Sequence, residues 1–162
     1  MTAVRSKLGA GVALASVVAL AAVIVWQAEA VRDDHRQDKA QQQAIRLAED
    51  QVVDLTTLDS ATVKDKIDSM SRRTSGTFKQ ELTGITQAFV AAVTKSNITA
   101  KGQIDSAALA SYKKDDAQVI VASTAQVTNG ADAQPVTRTY RMKVTLQRTG
   151  GTWLIDGMEF VP

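Results

Sequence analysis

The sequence predicts an α+β fold in which helices come first and a curved antiparallel sheet of about four strands follows, all behind an apolar N-terminal segment. Three observations carry this reading. From Arg138 to Val161 apolar residues recur at every second position around a Gly150-Gly151 turn, the period of a half-buried antiparallel hairpin. From Val63 to Met70 and again from Phe78 to Val93 they recur every three or four residues, the period of helices with one buried face. From Leu8 to Trp26 no residue is charged, and Ser16 alone interrupts the apolar and glycine positions.

That first run has 19 residues, roughly 28 Å as a helix and about the hydrocarbon thickness of a bilayer. Arg5 and Lys7 precede it, which predicts an N-terminus in the cytoplasm, the rest of the chain on the other side, and an inner-membrane anchor. Ala28-Glu29-Ala30 has the small-x-small form of a signal-peptide cleavage site. The apolar run exceeds the roughly 7–15 residues of a signal core, which favours a retained anchor. Residues Gln27 to Val53 contain no Gly or Pro and are rich in Gln, Ala and charge, a composition that suits a helix. Glu29 to Lys39 is almost wholly polar, while Ile45, Ala48, Val52 and Leu55 form a single apolar stripe. Glu29 to Lys39 reads as a solvated stalk continuing the membrane helix, with a seam for partner helices as the alternative. The expected divisions are therefore a cytoplasmic N-terminus over 1–7, a transmembrane helix over 8–26, a helical stalk over 27–53 and an extracytoplasmic α+β domain over 54–162.

Within the domain, Asp59 offers a cap ahead of a helix whose apolar positions are Val63, Ile67 and Met70. Thr74-Ser75-Gly76 breaks it, and a longer helix follows with Phe78, Leu82, Ile85, Phe89 and Val93 on one face. Asn97 suits a left-handed helix end, and Asn97-Ile98-Thr99 also matches a glycosylation sequon. With no other mark of a glycosylated secreted protein, the cap reading is preferred. The strands begin at Ile98, Ala100, Gly102 and Ile104 and run past a kink toward Leu109. A polar turn at Lys113-Lys114-Asp115-Asp116 leads to a second strand carrying Val119, Val121, Ala125 and Val127 on one face. Asn129-Gly130 is a turn signal, and the terminal hairpin follows. Its last strand changes parity at Asp156-Gly157, between Trp153/Ile155 and Met158/Phe160, as a β-bulge would require. Phe78, Phe89, Tyr140, Trp153 and Phe160 are expected in the core, with a lipid-lined pocket at Phe78, Phe89, Tyr140 and Trp153 as the alternative.

Composition removes several chemistries. The chain has no cysteine, so disulfides, thiol catalysis and sulfur-ligated metals are excluded. A formal charge of +2 and a mixed distribution, 13 basic and 11 acidic side chains over 54–162, do not indicate nucleic acid. The single histidine, His35, stands beside Asp33 and Asp34. Consecutive residues on one helix diverge, so this cluster reads as solvated charge rather than a metal site. Asp105, Asp156 and Glu159 are the carboxylates nearest the strands. None has a histidine within the domain as an acid–base partner, and no glycine-rich phosphate loop is present. The expectation is no catalytic residue, no metal and no cofactor.

The chain resembles the Mce-associated membrane proteins of mycobacteria and related actinobacteria. The residues that carry the resemblance are Asp54-Leu55-Thr56-Thr57-Leu58-Asp59, Thr74-Ser75-Gly76-Thr77-Phe78, Tyr140 to Leu146, and the ending Gly151 to Val161. The resemblance implies a cystatin-like or nuclear transport factor 2-like cone with about three helices over a curved four-stranded sheet. It also implies a non-catalytic accessory role, binding or stabilising an Mce-type lipid import complex of permease and Mce proteins. Ala28, Val31, Ile45 and Val52 are then candidate partner contacts, with membrane lipids around the anchor. The alternatives are a scaffold like the inner-membrane assembly factors of type IV secretion, an isomerase- or dehydratase-like enzyme, and a lipid-binding cone.

Overall fold

The computed structural model describes residues 36–130 and 134–162. The chain divides into two compact units, Met1–Lys39 and Ala40–Pro162. Described residues 36–39 of the first unit are helical and exposed. The expected anchor over 8–26, Ala28, Val31 and His35 lie outside the described residues. Among the described residues no helix is long and apolar enough to cross a membrane.

The second unit contains three helices, α1 over 40–56, α2 (Val63–Arg72) and α3 (Gly76–Lys95), followed by four strands. These are β1 (Thr99–Lys113), β2 (Asp116–Thr128), β3 (Val136–Thr149) and β4 (Thr152–Phe160), paired antiparallel in the order β1-β2-β3-β4. This meander with helices on one face is the expected α+β arrangement. Asn97 does end α3 in the left-handed region at φ 45°. Gly150 and Gly151 take φ 59° and 85°, the pair of positive angles that suits a two-residue hairpin turn to the twist of its strands. Asp59 caps a turn rather than α2 itself: its Oδ1 accepts from Ala61 N at 2.7 Å, and the helix starts at Val63.

Pairing of β3 with β4 shifts register between Thr145 and Leu146, which leaves Asp156 as the extra residue on β4. This is the bulge the parity change predicts. The pairing of β1 with β2 carries two such shifts and skips Asp105 and Ala110. Each bulge bends its strand and raises its twist.

The boundary at 54 is displaced by the structure. Ala40, Ala44, Ala48 and Val52 are buried, and Ala44, Ala48 and Val52 share one core with Val119, Val121, Val144, Leu146, Trp153 and Ile155. The helical unit packed on the sheet thus begins at 40, and only the part before it is left for a stalk. Val52 is completely buried and Ile45 packs against the same core, so the domain itself occupies both of these candidate partner contacts. Alanines at steps of four let a helix approach a sheet closely while adding little hydrophobicity to the stripe of Ile45, Ala48, Val52 and Leu55, so the pattern alone does not separate stalk from domain.

Gln51 lies on the same helix, fully buried, and neither its Nε2 nor its Oε1 makes a hydrogen bond among the described residues. An orphaned buried amide costs about 1–3 kcal/mol. Gln51→Leu, similar in size, is expected to raise stability by about that amount. The check is urea unfolding followed by far-UV circular dichroism; a lower midpoint would show that the amide is satisfied.

A second cluster joins Val63, Ile67 and Met70 of α2 to Leu82 and Val93 of α3, with Leu58, Phe89 and Ile98 at its margin. The end of α1 is tied to α2 through Asp54, which accepts from Arg73 Nη2 and lies 3.8 Å from Lys66 Nζ. The break between α2 and α3 is fastened to β4. Ser75 N donates to Ile155 O at 2.8 Å, Ile155 N donates to Arg73 O at 2.8 Å, and Ser75 Oγ donates to Asp156 Oδ1 at 3.0 Å.

Candidate functional site

These restraints leave an opening. Along β3, Arg138, Tyr140, Met142, Val144 and Leu146 alternate onto the helix side of the sheet, because side chains two apart share a face. Burial falls along this row from complete at Leu146 and Val144, through half-buried Tyr140, to exposed Arg138. On β4, Ile155 is buried, Met158 half-buried and Phe160 67% exposed. The α1 helix covers the buried end of both rows. At the other end, α2 and α3 stand over the sheet without closing on it, and a cavity of about 430 Å³ remains between them.

Its helix wall is made by Met70, Phe78, Leu82 and Phe89, and its sheet wall by Ala100, Tyr140, Met142 and Met158. Ile85, Arg138, Glu159 and Phe160 form the rim. Ile85 is 58% exposed, and Val136, also exposed, lines a smaller adjoining hollow of about 320 Å³ that shares Ile98, Val127 and Arg138. Of the three large exposed apolar side chains of the described residues, Ile85 and Phe160 thus stand at this mouth, and Val136 lines the adjoining hollow. Single exposed apolar residues are ordinary, whereas a group of them at a cavity mouth marks a place where something binds.

The electrostatics of the opening are simple. Glu159 is paired with Lys143. Arg138 makes no ion pair among the described residues. Thr56, at the inner end, donates its hydroxyl back to Val52 O at 2.7 Å. Lys64, whose pKa is raised by its hydrogen bond to Asp68, lies on the exposed face of α2 and does not line the cavity.

Several residues singled out by sequence meet here and others do not. Phe78, Phe89 and Tyr140 line the cavity while also bordering the core. Trp153 does not line it: it is 5% exposed, beneath Arg148 and beside Tyr112, whose ring centre lies 6.1 Å away. Phe160, expected in the core, is a correction. Its alternation does point it to the helix side, with Tyr140 at 6.0 Å, but among the described residues no helix covers the sheet there. Asp105 accepts from Thr124 Oγ1 at 2.6 Å on an exposed bulge. Asp156 is held by Ser75, so the three carboxylates nearest the strands do not converge. Among the described residues no group of three His, Asp or Glu side chains is placed to hold a metal. The sequence missed Met70, Met142, Met158 and Arg138 as lining; a single alternating pattern does not tell a filled interior from an open one.

Comparison with known proteins gives the family. Residues 3–162 match the family described as "Uncharacterized protein Rv1363c/MT1408-like". The chain belongs to this family. It is 30% identical to Rv1363c of Mycobacterium tuberculosis over 146 residues, 88% of this chain and 54% of the relative, so it spans about half the length of that protein. It is 31% identical to Rv1973 of the same organism, named an outer membrane protein, over 140 residues, 86% of this chain and 85% of the relative. Among solved structures, CagV, a VirB8 homologue of the Helicobacter pylori type IV secretion system, superposes with a TM-score of 0.58 at 8% identity, covering 72% of this chain and 95% of CagV. That likeness is one of fold, and it agrees with the α+β arrangement of helices over a four-stranded sheet.

Proposed function

We propose that this protein is a non-catalytic accessory component of the cell envelope, membrane-anchored through residues 8–26, whose extracytoplasmic domain works by association with an Mce-type lipid import complex. The observation that carries the reading is the chemistry of the cavity. Its ionisable lining consists of Arg138 at the rim, Glu159 already engaged by Lys143, and the phenol of Tyr140. A proton-transfer site needs an acid and a base within reach of one substrate atom, and this lining offers apolar contact instead. The outer membrane name carried by Rv1973 supports an envelope location. The Mce partner rests on the resemblance of the motifs at 54–59, 74–78, 140–146 and 151–161.

An anchor confines a domain to a surface and raises its effective concentration toward a partner held in the same membrane. Contacts with permease or Mce-protein helices then fall on Ala28, Val31 and the segment before residue 40, since Ile45 and Val52 are engaged within the domain. The test is purification of the tagged full chain from native membranes, with identification of what accompanies it. Permease and Mce proteins are expected, together with less assembled importer in a deletion strain. Glu159→Gln is expected to leave lipid uptake intact. Copurification with a secretion apparatus, or loss of uptake in a well-folded Glu159→Gln variant whose complex is still assembled, would overturn the reading.

A further inference from the structure

The geometry points to a binding site for one single-chain anionic amphiphile, its alkyl tail inside the cavity between α3 and the sheet and its head on Arg138. The volume of about 430 Å³ lies within the roughly 300–1,000 Å³ of small-molecule sites. At about 30 Å³ for a group the size of a water molecule, it takes on the order of a dozen methylenes, one alkyl chain rather than two. The walls suit such a tail. Met70, Met142 and Met158 are unbranched and adaptable, and Phe78 and Phe89 supply broad apolar surface. The hydroxyl of Thr56 at the inner end is spent on Val52 O, and the cationic group of the lining is Arg138, where the row along β3 leaves the helix layer. That guanidinium makes no ion pair among the described residues, and the carboxylate of Glu159, the acidic group of the lining, is taken up by Lys143. A carboxylate or phosphate head is the group that complements it. The source we assign is a free fatty acid. This site would stand whether or not the protein serves an importer.

The test uses the full chain in phosphatidylcholine nanodiscs and a photoactivatable hexadecanoic acid as probe. Cross-linked peptides are mapped by mass spectrometry, with competitors compared at equal mole fraction in the bilayer. Saturable labelling of peptides containing Phe89, Met142 or Met158 is expected, displaced by hexadecanoate at concentrations at least about tenfold lower than by hexadecanol, because an ionic hydrogen bond is lost with the alcohol. Arg138→Glu is expected to cut that labelling at least about tenfold. Ile85→Lys is expected to reduce it too, and both positions are exposed, so the fold tolerates the changes. Labelling confined to residues 1–35 overturns the proposal. So does equal competition by hexadecanol, unchanged labelling of Arg138→Glu, or stronger displacement by diacyl phosphatidylglycerol than by hexadecanoate. Displacement by a copurified protein in place of the fatty acid would assign the mouth to a macromolecular partner and equally overturn it.

Discussion

Trp153→Ala is expected to destabilise the domain by about 3–5 kcal/mol, the usual cost of truncating a large buried aromatic side chain. The indole is 5% exposed and belongs to the same buried cluster as Val144, Leu146 and Ile155. Removing it would leave Tyr112 and Arg148 without the ring they pack on. A domain of this size is stable by only about 5–15 kcal/mol, so the variant should unfold at markedly lower urea concentration or fail to fold. Trp153→Phe separates packing from polarity. The indole Nε1 has no hydrogen-bond partner among the described residues, so phenylalanine keeps much of the buried surface and removes an unsatisfied donor. Its cost should be well below that of alanine. Urea unfolding followed by far-UV circular dichroism measures both, and an unchanged midpoint for Trp153→Ala would place the indole outside the core.

Gly76→Ala is expected to cost about 2–3 kcal/mol, for two separable reasons. Gly76 has φ +56°, a left-handed conformation that costs an L side chain roughly 1–2 kcal/mol. An added Cβ would also stand 2.5 Å from Asp156 Oδ1, displacing the carboxylate that accepts from Ser75 Oγ at 3.0 Å. That bond contributes about 1 kcal/mol. The two residues should therefore be coupled: in an Asp156→Ala background, Gly76→Ala should cost measurably less, because the clash and the bond are already gone. Strict additivity of the two changes would show that the carboxylate does not fasten the start of α3. Asp156→Asn keeps an acceptor and loses only the favourable charge at a helix N-terminus, about 0.3–1 kcal/mol. The β4 bulge thus has a structural use. It presents Asp156 to α3, and the Thr74-Ser75-Gly76 break supplies the backbone that meets it.

Both effects concern residues whose placement was legible along the chain. The alternation through Tyr140, Met142, Val144 and Leu146 fixes which side of β3 faces the helices, since a one-residue slip would bury Arg141 and Lys143 instead. The parity change at Asp156-Gly157 locates the bulge, and Gly150-Gly151 locates the turn. Each is a local property, set by the backbone's own period and by which residues tolerate positive φ.

What only the tertiary structure decided is which surfaces are covered. Phe160 continues the apolar row of β4 faithfully, but α1 and α3 cover that row only from Trp153 to Met158, so the same pattern is core at one end and rim at the other. Over residues 40–53 the apolar stripe of Ile45, Ala48 and Val52 does not by itself tell a stalk helix from a helix packed on the sheet. Ala44, outside that stripe, and Ala48, within it, are both fully buried, their size letting α1 lie close on the sheet. The cavity is the difference between the span of the sheet and the cover its helices provide. Arg138 stands at its mouth because the strand outruns that cover, a relation between elements distant in sequence that no single segment encodes.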